Sequence, residues 1–469
     1  MVGPANYVAH FSLNNYTVTA TANPTVGGTV EGAGTYDQFT TCTLTATANE
    51  SFQFKNWTVG GTVVSTSPTY TFEVSGPVEA IALFDLVQTT AMSNGWTWWS
   101  TCVELTGIDG LTMLENSLGD NGVMIKNSNA YVQNYSAYGL GWMGTENMVL
   151  SNEKGYKVNT NAACTATMVG SLANPADHPI EIQPQWNWIG YPVFQTQTVS
   201  SALAGFQPTA NDIIKGQGDF SNYILGYGWL PEIILEPGKS YLYHSNNTGN
   251  QTLVFAESKN GTPVVETDNR HWRNDIYAYA DNLCLIAVVS INEEEQRTEN
   301  LELGAFVKGE CRGSVRLKYV EPLDRYYAMM TITGESGDEI GFALIDETGN
   351  VISSEIGKNF AFINDAIVGS LDNPYRIDFG IMTSVEEHPM ACLNVYPNPV
   401  NHGTAFNLLI PDDEIITDFV IVNMTGVEVR HERGALTRRT VAGLPTSGVY
   451  IVKVVCKSGR VYQSRLIVK

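Results

Sequence analysis

The sequence has little charge and no long apolar run. Of its 469 residues only 16% are charged, and 48 acidic residues outnumber 26 basic ones, for a formal net charge of −22. No run of about eighteen apolar residues occurs, which excludes an ordinary transmembrane helix. So acidic a surface repels nucleic acid and anionic membranes. Hydrophobic residues at 43% and aromatic residues at 10% exclude a disordered chain, a coiled coil and a collagen.

The sequence also lacks the motifs of common catalytic and metal sites. There is no C-x-x-C, H-E-x-x-H or G-x-S-x-G pattern and no calcium-binding loop, and the seven histidines are scattered. The segment Gly238-Lys239-Ser240 ends like a phosphate-binding loop, but Ile233 stands at the first glycine position. We therefore expect no metal, no cofactor and no enzymatic activity, while a triad assembled from distant residues stays open.

Short strand patterns dominate what is present. Runs rich in Thr, Val, Tyr and Phe are separated by Gly, Asn or Pro, and they include Tyr16–Ala22, Thr41–Ala48, Phe52–Thr58 and Thr69–Val74. Only Leu111–Leu118 and Val199–Phe206 predict short helical turns. The predicted class is all-β: a string of small β-rich modules and β-sandwiches with an immunoglobulin-like domain at the end.

The N-terminal region contains a repeat. Residues 3–11 match residues 76–84 at a constant offset, and the later segment closes a module spanning 12–86. Residues 1–11 are therefore interpreted as the tail of a preceding repeat, and the chain as the C-terminal part of a longer one. The alternative is a chance match.

The 12–86 module resembles the divergent internalin-type B-repeats of bacterial surface proteins. The residues that carry the resemblance are Tyr16-Thr17-Val18, Gly27-Gly28-Thr29-Val30, Gly34, Thr43-Leu44-Thr45-Ala46, Phe54, Trp57 and Tyr70-Thr71-Phe72. The resemblance implies a small β-rich spacer or adhesive unit.

A second repeat pair predicts two copies of one fold, at 91–176 and 180–257. The matching segments are Gly95–Ser100 with Gln185–Gly190, Val123–Lys126 with Asp212–Lys215, Asn134-Tyr135 with Asn222-Tyr223, and Gly141-Trp142 with Gly228-Trp229. The Trp-x-Trp strands at the start of each copy are interpreted as core.

The aromatic loops of the two copies are the candidate binding site. Exposed aromatic rings in a cleft stack on sugar faces. Trp142 and Trp229 lie in glycine-rich loops, with Tyr138 and Tyr227 nearby. We predict that these four residues bind a ligand; the alternative is that the tryptophans belong to the core.

A linker at about 258–267 leads to a fourth unit, 268–382, which we predict to be a β-sandwich. The tandem copies and this unit resemble uncharacterised C-terminal regions of large secreted Bacteroidetes proteins, for which the resemblance implies no chemistry.

The end of the chain, 391–469, closely resembles the C-terminal sorting domain of the type IX secretion system. Its motifs occur in order: Val395-Tyr396-Pro397-Asn398-Pro399, Val420–Gly426, Leu444–Val452 and Arg465–Lys469. The prolines limit strand pairing and the glycines permit tight turns. The sorting motif comprises Pro397, Asn398, Pro399, Gly426, Gly448 and Lys469.

The resemblance implies export to the extracellular space or the outer-membrane surface. The implied partners are the type IX translocon and a sortase-like processing enzyme. An ordinary immunoglobulin-like domain is the alternative.

Six of the seven cysteines fall in pairs within predicted units. The pairs are Cys102 with Cys164, Cys284 with Cys311, and Cys392 with Cys456. The second tandem copy lacks both cysteines of the first pair, as a disulfide would require. An oxidising export route permits all three bridges; buried free thiols are the alternative.

The sequence therefore predicts a non-catalytic adhesin or stalk region that binds a glycan or a host surface protein. The alternative is an accessory, substrate-binding and sorting region of a longer secreted hydrolase such as a peptidase or glycosidase.

Overall fold

The computed structural model describes residues 14–257, 268–353, 360–379, 390–410, 414–436, 440–457 and 460–469. Strands dominate these residues, which confirms the all-β class. The chain forms two compact units, 1–266 and 267–469. The predicted repeat tail at 1–11 and the linker at 258–267 lie outside the described residues.

The first module folds where the B-repeat pattern predicts strands. Its strands are β1 (Asn15–Asn23), β2 (Gly28–Glu31), β3 (Gly34–Asp37), β4 (Thr41–Ala48), β5 (Phe52–Val59), β6 (Thr62–Ser65), β7 (Thr69–Glu73) and β8 (Val78–Met92), with a 3₁₀ turn at Thr25–Gly27. One sheet has the order β3-β1-β8-β5-β6, and a second has the order β2-β4-β7. Val18, Leu44, Trp57 and Phe84 fill the core between them.

The glycine pair of the B-repeat motif has a steric role. A Cβ on Gly28 would lie 2.4 Å from the ring of Phe84, and one on Gly27 would lie 2.8 Å from the Cβ of Phe84. Because real Cβ atoms do not approach so closely, only glycine lets this backbone pass over the core ring.

Strand β8 is longer than predicted and crosses the expected boundary between residues 86 and 91. Its first part pairs with β1 and β5, and Leu86–Met92 then pairs with β14 (Cys164–Gly170) of the first tandem copy. Alternate residues from Ala80 to Met92 stay buried, so the period of two runs through both modules. The two modules therefore share one continuous strand.

The first tandem copy contains β9 (Gly95–Trp99), α1 (Gly110–Leu118), β10 (Gly122–Lys126), β11 (Tyr131–Asn134), β12 (Trp142–Gly144), β13 (Tyr156–Thr160) and β14, with 3₁₀ turns at Gly119–Asn121, Ser136–Tyr138 and Pro175–Asp177. Helix α1 matches its predicted range, and the Asp109 side chain caps it by accepting a hydrogen bond from the Thr112 amide.

The second copy contains β15 (Ile180–Ile182), β16 (Gln185–Ile189), β17 (Gln197–Thr198), α2 (Val199–Ala202), β18 (Ile213–Lys215), β19 (Phe220–Ile224), β20 (Gly228–Leu230), β21 (Ile234–Leu235), β22 (Tyr241–Ser245) and β23 (Gln251–Leu253). The main sheets have equivalent orders, β12-β11-β10-β13-β9 and β20-β19-β18-β22-β16. Helix α2 is shorter than predicted, since Gly205 and Pro208 follow it closely.

The two copies contact each other through equivalent backbone hydrogen bonds. In one set the amide of Ser100 donates to the carbonyl of Gly238, and the amide of Ser240 donates to that of Trp98. In the other set, the amide of Gly190 donates to the backbone carbonyl of Glu153, and the amide of Gly155 donates to the backbone carbonyl of Trp188. These residues correspond under the repeat offset, so the copies form a pseudo-twofold pair.

The second unit begins with two packed sheets. The strands are β24 (Asp281–Ile291), β25 (Glu294–Glu295), β26 (Leu301–Val307), β27 (Glu310–Arg316), β28 (Lys318–Val320), β29 (Arg325–Gly334), β30 (Glu339–Asp346), β31 (Val351–Ser353), β32 (Phe360–Ala361), β33 (Ile367–Val368) and β34 (Tyr375–Phe379), with a 3₁₀ turn at Glu321–Leu323. One sheet centres on β24 and the other on β26 and β30. Leu285, Leu303 and Phe342 belong to their common core.

The C-terminal residues form another pair of sheets. The strands are β35 (Met390–Cys392), β36 (Asn394–Tyr396), β37 (Phe406–Leu409), β38 (Ile416–Asn423), β39 (Glu428–Leu436), β40 (Thr440–Val441), β41 (Gly448–Cys456) and β42 (Val461–Val468). The sheet orders are β35-β42-β41-β38-β39 and β36-β37-β40. Phe406, Phe419 and Leu466 pack in the core that the two sheets share.

Candidate functional site

Each tandem copy presents an exposed tyrosine at the tip of one hairpin. Tyr138 lies between β11 and β12 and is 79% exposed, and Tyr227 lies between β19 and β20 and is 67% exposed. Glycines with positive φ surround both, which tightens the turns and leaves the rings outside the sheets. Leu140 and Leu225 are also exposed beside them. The structure thus leaves both predicted tyrosines accessible at the tips of corresponding hairpins.

The two predicted tryptophans point the other way. Trp229 is 5% exposed and packs in the core of the second copy, 5.3 Å from Tyr223 and 6.1 Å from Tyr243 between ring centroids. Trp142 is half-buried against the core of the first copy, where Gly122 leaves room for its ring. The prediction that Trp229 binds a ligand is therefore wrong, because the loop forms strand β20 and turns the ring inward. The Trp142 ring also turns toward the core of its copy, but it is only half-buried.

The tryptophans of the two Trp-x-Trp strands form a cluster with buried lysines, and this cluster was not predicted from the sequence. The Lys157 ammonium lies 4.2 Å from the ring centroid of Trp98 and 4.3 Å from that of Trp188, so one cation joins both copies. Lys215 likewise lies 4.5 Å from the Trp186 ring. Both lysines are fully buried. Buried ammonium groups over aromatic faces are stabilised by the ring quadrupoles.

The cluster is asymmetric at its centre. Lys157 is the strand partner of Trp98, whereas Leu242 is the partner of Trp188 at the equivalent place in the second copy. The Lys215 ammonium also lies 5.9 Å from the Trp98 ring centroid, so two buried ammonium groups share this ring. A lysine opposite a leucine at matched repeat positions was the only sequence signal of this contact.

A buried histidine clamp joins His178, after β14, to two glutamates in loops of the first copy: Glu104 between β9 and α1, and Glu153 between β12 and β13. His178 is 7% exposed; its Nδ1 lies 2.7 Å from a Glu153 carboxylate oxygen and its Nε2 lies 2.9 Å from one of Glu104. Burial opposes the charged imidazole, but the hydrogen bonds to the two carboxylates outweigh it and raise the pKa of His178.

The same contacts act on the carboxylates. Partial burial opposes their charge, yet hydrogen bonds from Thr106 and His178 lower the pKa of Glu104, and those from Ser151 and His178 lower the pKa of Glu153. Because both imidazole nitrogens face carboxylates, this group is arranged as an ionic clamp.

The predicted Cys102–Cys164 disulfide is wrong. Both cysteines are free thiols, and the Cys102 sulfur lies 3.2 Å from the carbonyl oxygen of Val193. Cys164 begins β14, whereas Cys102 lies beyond its far end, where its carbonyl accepts from the Ala173 amide. At about 3.3 Å per strand residue the two are too far apart to bond. Burial raises the pKa of Cys102 to about 12.

The Cys284–Cys311 prediction is also wrong. Cys311 is a free thiol on β27, and Cys284 lies on β24 in the other sheet. Cys284 also alternates with the core residues Leu283 and Leu285, so its side chain leaves the opposite face of its strand. The third predicted pair lies partly outside the described residues, because the Cys392 side chain is not described.

The sorting-motif residues meet at the last strand of the chain. Asn398 uses both ends of its amide: its Nδ2 donates to the carbonyl of Arg465 at 2.5 Å, and its Oδ1 accepts from the amide of Ile467 at 2.9 Å. The Lys469 amide donates to the Val400 carbonyl at 2.8 Å. The proline-asparagine segment therefore holds the C-terminal strand in place.

The two glycines of the motif lie in the same pair of sheets, and Gly448 pairs with Val468 of the last strand. Gly426 has φ +76° in the turn between β38 and β39, and Gly448 begins β41. Neither Pro397 nor Pro399 interrupts a central strand, since both follow β36.

The described residues contain neither a metal-binding cluster nor a membrane-spanning helix. No group of three or more His, Cys, Asp and Glu side chains in these ranges could hold a metal ion. No helix in them has the length and apolar character needed to cross a membrane.

The fold and these sites define an all-β protein built from repeated small modules. Residues 16–88 match the family model of divergent InlB B-repeat domains, which confirms the resemblance predicted for this part of the chain. No curated protein matches the sequence.

Among solved structures, the chain resembles the SGBP-B protein of the Bacteroides ovatus mixed-linkage glucan utilization locus, in complex with a mixed-linkage heptasaccharide. The two are 13% identical, and the match covers 61% of this chain and 70% of that one with a TM-score of 0.14. A likeness at that TM-score carries no argument about either fold or function.

Proposed function

We propose that the chain is a non-catalytic region of a secreted or cell-surface bacterial protein, exported by the type IX system through residues 391–469. The two hairpin tips are its contact surface for a glycan or host protein. The observation that carries the export proposal is the double hydrogen bond of Asn398 to the last strand. It joins two motifs of the sorting resemblance that are far apart in sequence.

The adhesive part of the proposal is supported by the paired tips. Tyr138 and Tyr227 lie at the tips of corresponding hairpins in two copies that are fixed to each other by backbone hydrogen bonds and the Lys157 contacts. Two aromatic contacts held on a rigid pair bind a repeating surface more tightly than one, since the second contact is intramolecular. The shared strand β8 adds a stiff connection to the B-repeat, as a stalk requires.

The export proposal is tested in a Bacteroidetes host that has the type IX system. The chain is placed behind a periplasmic signal peptide, and a variant lacking 391–469 is compared with it by fractionation. We expect the full chain at the surface or in the medium and the shortened one in the periplasm. Surface appearance of the shortened chain would overturn the assignment.

The double variant Tyr138→Ala with Tyr227→Ala is the matched control. Both side chains are exposed, so the variant should fold and be exported like the parent chain. It should, however, adhere less well to the surface that the parent chain binds. Periplasmic retention of this variant would show that the fractionation reports misfolding rather than sorting.

A further inference from the structure

One sheet face of the first tandem copy points away from the core of that copy. It carries a row in which apolar and amide side chains alternate. Strand register places Trp96 beside Asn159, Asn159 beside Met124, Met124 beside Gln133, and Gln133 beside Met143. Neighbouring Tyr131 lies two residues from Gln133 and therefore on the same face. We infer that this face is a binding platform for a neutral saccharide chain. The inference rests on the proposed surface-binding function and adds to it a second site, distinct from the hairpin tips, with one ligand class.

The row is partly exposed to solvent in the first copy, whereas the equivalent positions are buried in the second. Tyr131 and Met143 are 48% and 49% exposed, and the other members are half-buried. The equivalent positions in the second copy include Ile213, Asn222 and His244, all of which are buried. The same pattern thus packs inside the protein in one copy and faces outward in the other.

The amides of the open row have hydrogen-bonding capacity to spare. Within the described ranges the Asn159 side chain makes no hydrogen bond, and Gln133 uses only its Oε1, which accepts from the Tyr135 hydroxyl at 3.3 Å. An amide offers two donors and an acceptor, which suits the hydroxyl groups of a sugar. The tyrosine, tryptophan and methionine side chains supply apolar surface for the C–H faces of the rings.

Charge selects a neutral ligand. No member of the row is acidic. Two lysines share its face: Lys126 lies 4.7 Å from the Trp96 ring centroid, and Lys157 is buried over the Trp98 ring. The molecule as a whole carries a formal net charge of −22. A polyanionic glycan would be repelled at long range, whereas a neutral one would not.

The test uses the full chain and isothermal titration with soluble hexasaccharides of neutral glucan, mannan and xylan, with hyaluronan fragments as the anionic probe. We expect one or more neutral probes to bind and the anionic probe not to bind. The double variant Asn159→Asp with Gln133→Glu keeps side-chain shape and removes amide donors. Losing two such hydrogen bonds should weaken binding about tenfold or more.

Two further variants help to interpret the binding result. The variant Tyr131→Ala should also weaken binding, and circular dichroism should show unchanged folding for both row variants. The control variant Val63→Ala, at a 53% exposed position of the first module, should bind the soluble probe as the parent does.

The inference is overturned if no neutral probe binds, if the row variants bind normally, or if the anionic probe is preferred. Loss of saccharide binding on Tyr138→Ala with Tyr227→Ala, together with normal binding by the row variants, would overturn the platform and leave the proposed adhesive role of the tips in place. Failure of export in the fractionation experiment would instead remove the sorting proposal and leave the platform untouched.

Discussion

At the scale of residues, two nearby aromatic side chains of the second copy take opposite roles. Tyr227 and Trp229 are two residues apart on one hairpin, yet the first is exposed at the tip and the second is buried in the core. The strand register decides this, because Trp229 pairs with Tyr223 on the core face of the sheet. An aromatic residue in a glycine-rich loop is therefore a binding residue only if the loop stays outside the strand.

This difference predicts the effect of two substitutions. Trp229→Ala should lower the free energy of unfolding of the tandem pair by about 3–5 kcal/mol, since it removes a large buried side chain. Tyr227→Ala should change it by about 0.5 kcal/mol or less. Scanning calorimetry of the full chain measures both. Equal effects would contradict the assignment of Trp229 to the core and Tyr227 to the surface.

The histidine clamp predicts a window of pH stability. The raised pKa of His178 adds stability that is present below its ordinary value of 6.5 and is lost as the pH rises through the folded-state value. The lowered pKa values of Glu104 and Glu153 add stability that is present above their ordinary pKa of 4.5. This stability is lost as the pH falls through the folded-state pKa values. The clamp therefore stabilises the folded protein most between about pH 4.5 and pH 6.5.

Melting curves of the parent chain and of His178→Ala across pH 4 to 9 test this window. The difference in melting temperature should be largest near pH 5.5 and shrink toward pH 9. A difference that grows with pH would show that the imidazole is held neutral instead.

At the scale of elements, strand β8 couples two modules. The Val87 amide donates to the Ser51 carbonyl at 2.8 Å, and Val87 itself pairs with Val169 of β14. This one residue therefore lies where the B-repeat meets the first tandem copy. A strand that continues through such a junction leaves no hinge between the modules.

Replacing Val87 with proline removes that donor and should open the junction. We expect a loss of about 1–3 kcal/mol in the free energy of unfolding and new protease cleavage between residues 87 and 92. Val87→Ala keeps the amide and should stay resistant. Cleavage of both variants at the same rate would mean that the strand is not what joins the modules.

How far the sequence predicts each element depends on which contacts define it. Phe52–Thr58 was predicted and β5 is Phe52–Val59, because alternation and flanking turns fix such strands locally. Strand β8 runs past its predicted end, since its continuation depends on a partner strand some eighty residues later. The Lys157 contact was not predicted at all, because it needs both copies in place.

The candidate site divides in the same way. Tyr138 and Tyr227 are at turns whose glycines are visible in the sequence, and the structure leaves them exposed. The inward direction of Trp229 and the separation of Cys102 from Cys164 depend on strand register, which composition and spacing do not reveal.

At the scale of the whole molecule, the parts suit a surface protein. A B-repeat is joined by a shared strand to a rigid pair of copies, and a C-terminal pair of sheets holds its last strand through Asn398. An acidic surface with few charges keeps such a chain soluble without drawing it to anionic membranes. We propose that these parts place the tandem copies outside the cell.

The most direct test of that claim is protease treatment of intact cells of the producing bacterium, followed by immunoblotting against residues 91–257. Outer-membrane integrity is checked with a periplasmic marker protein. The proposal predicts that the tandem copies are digested or released while the marker stays intact. Protection of the copies until the outer membrane is broken would contradict it.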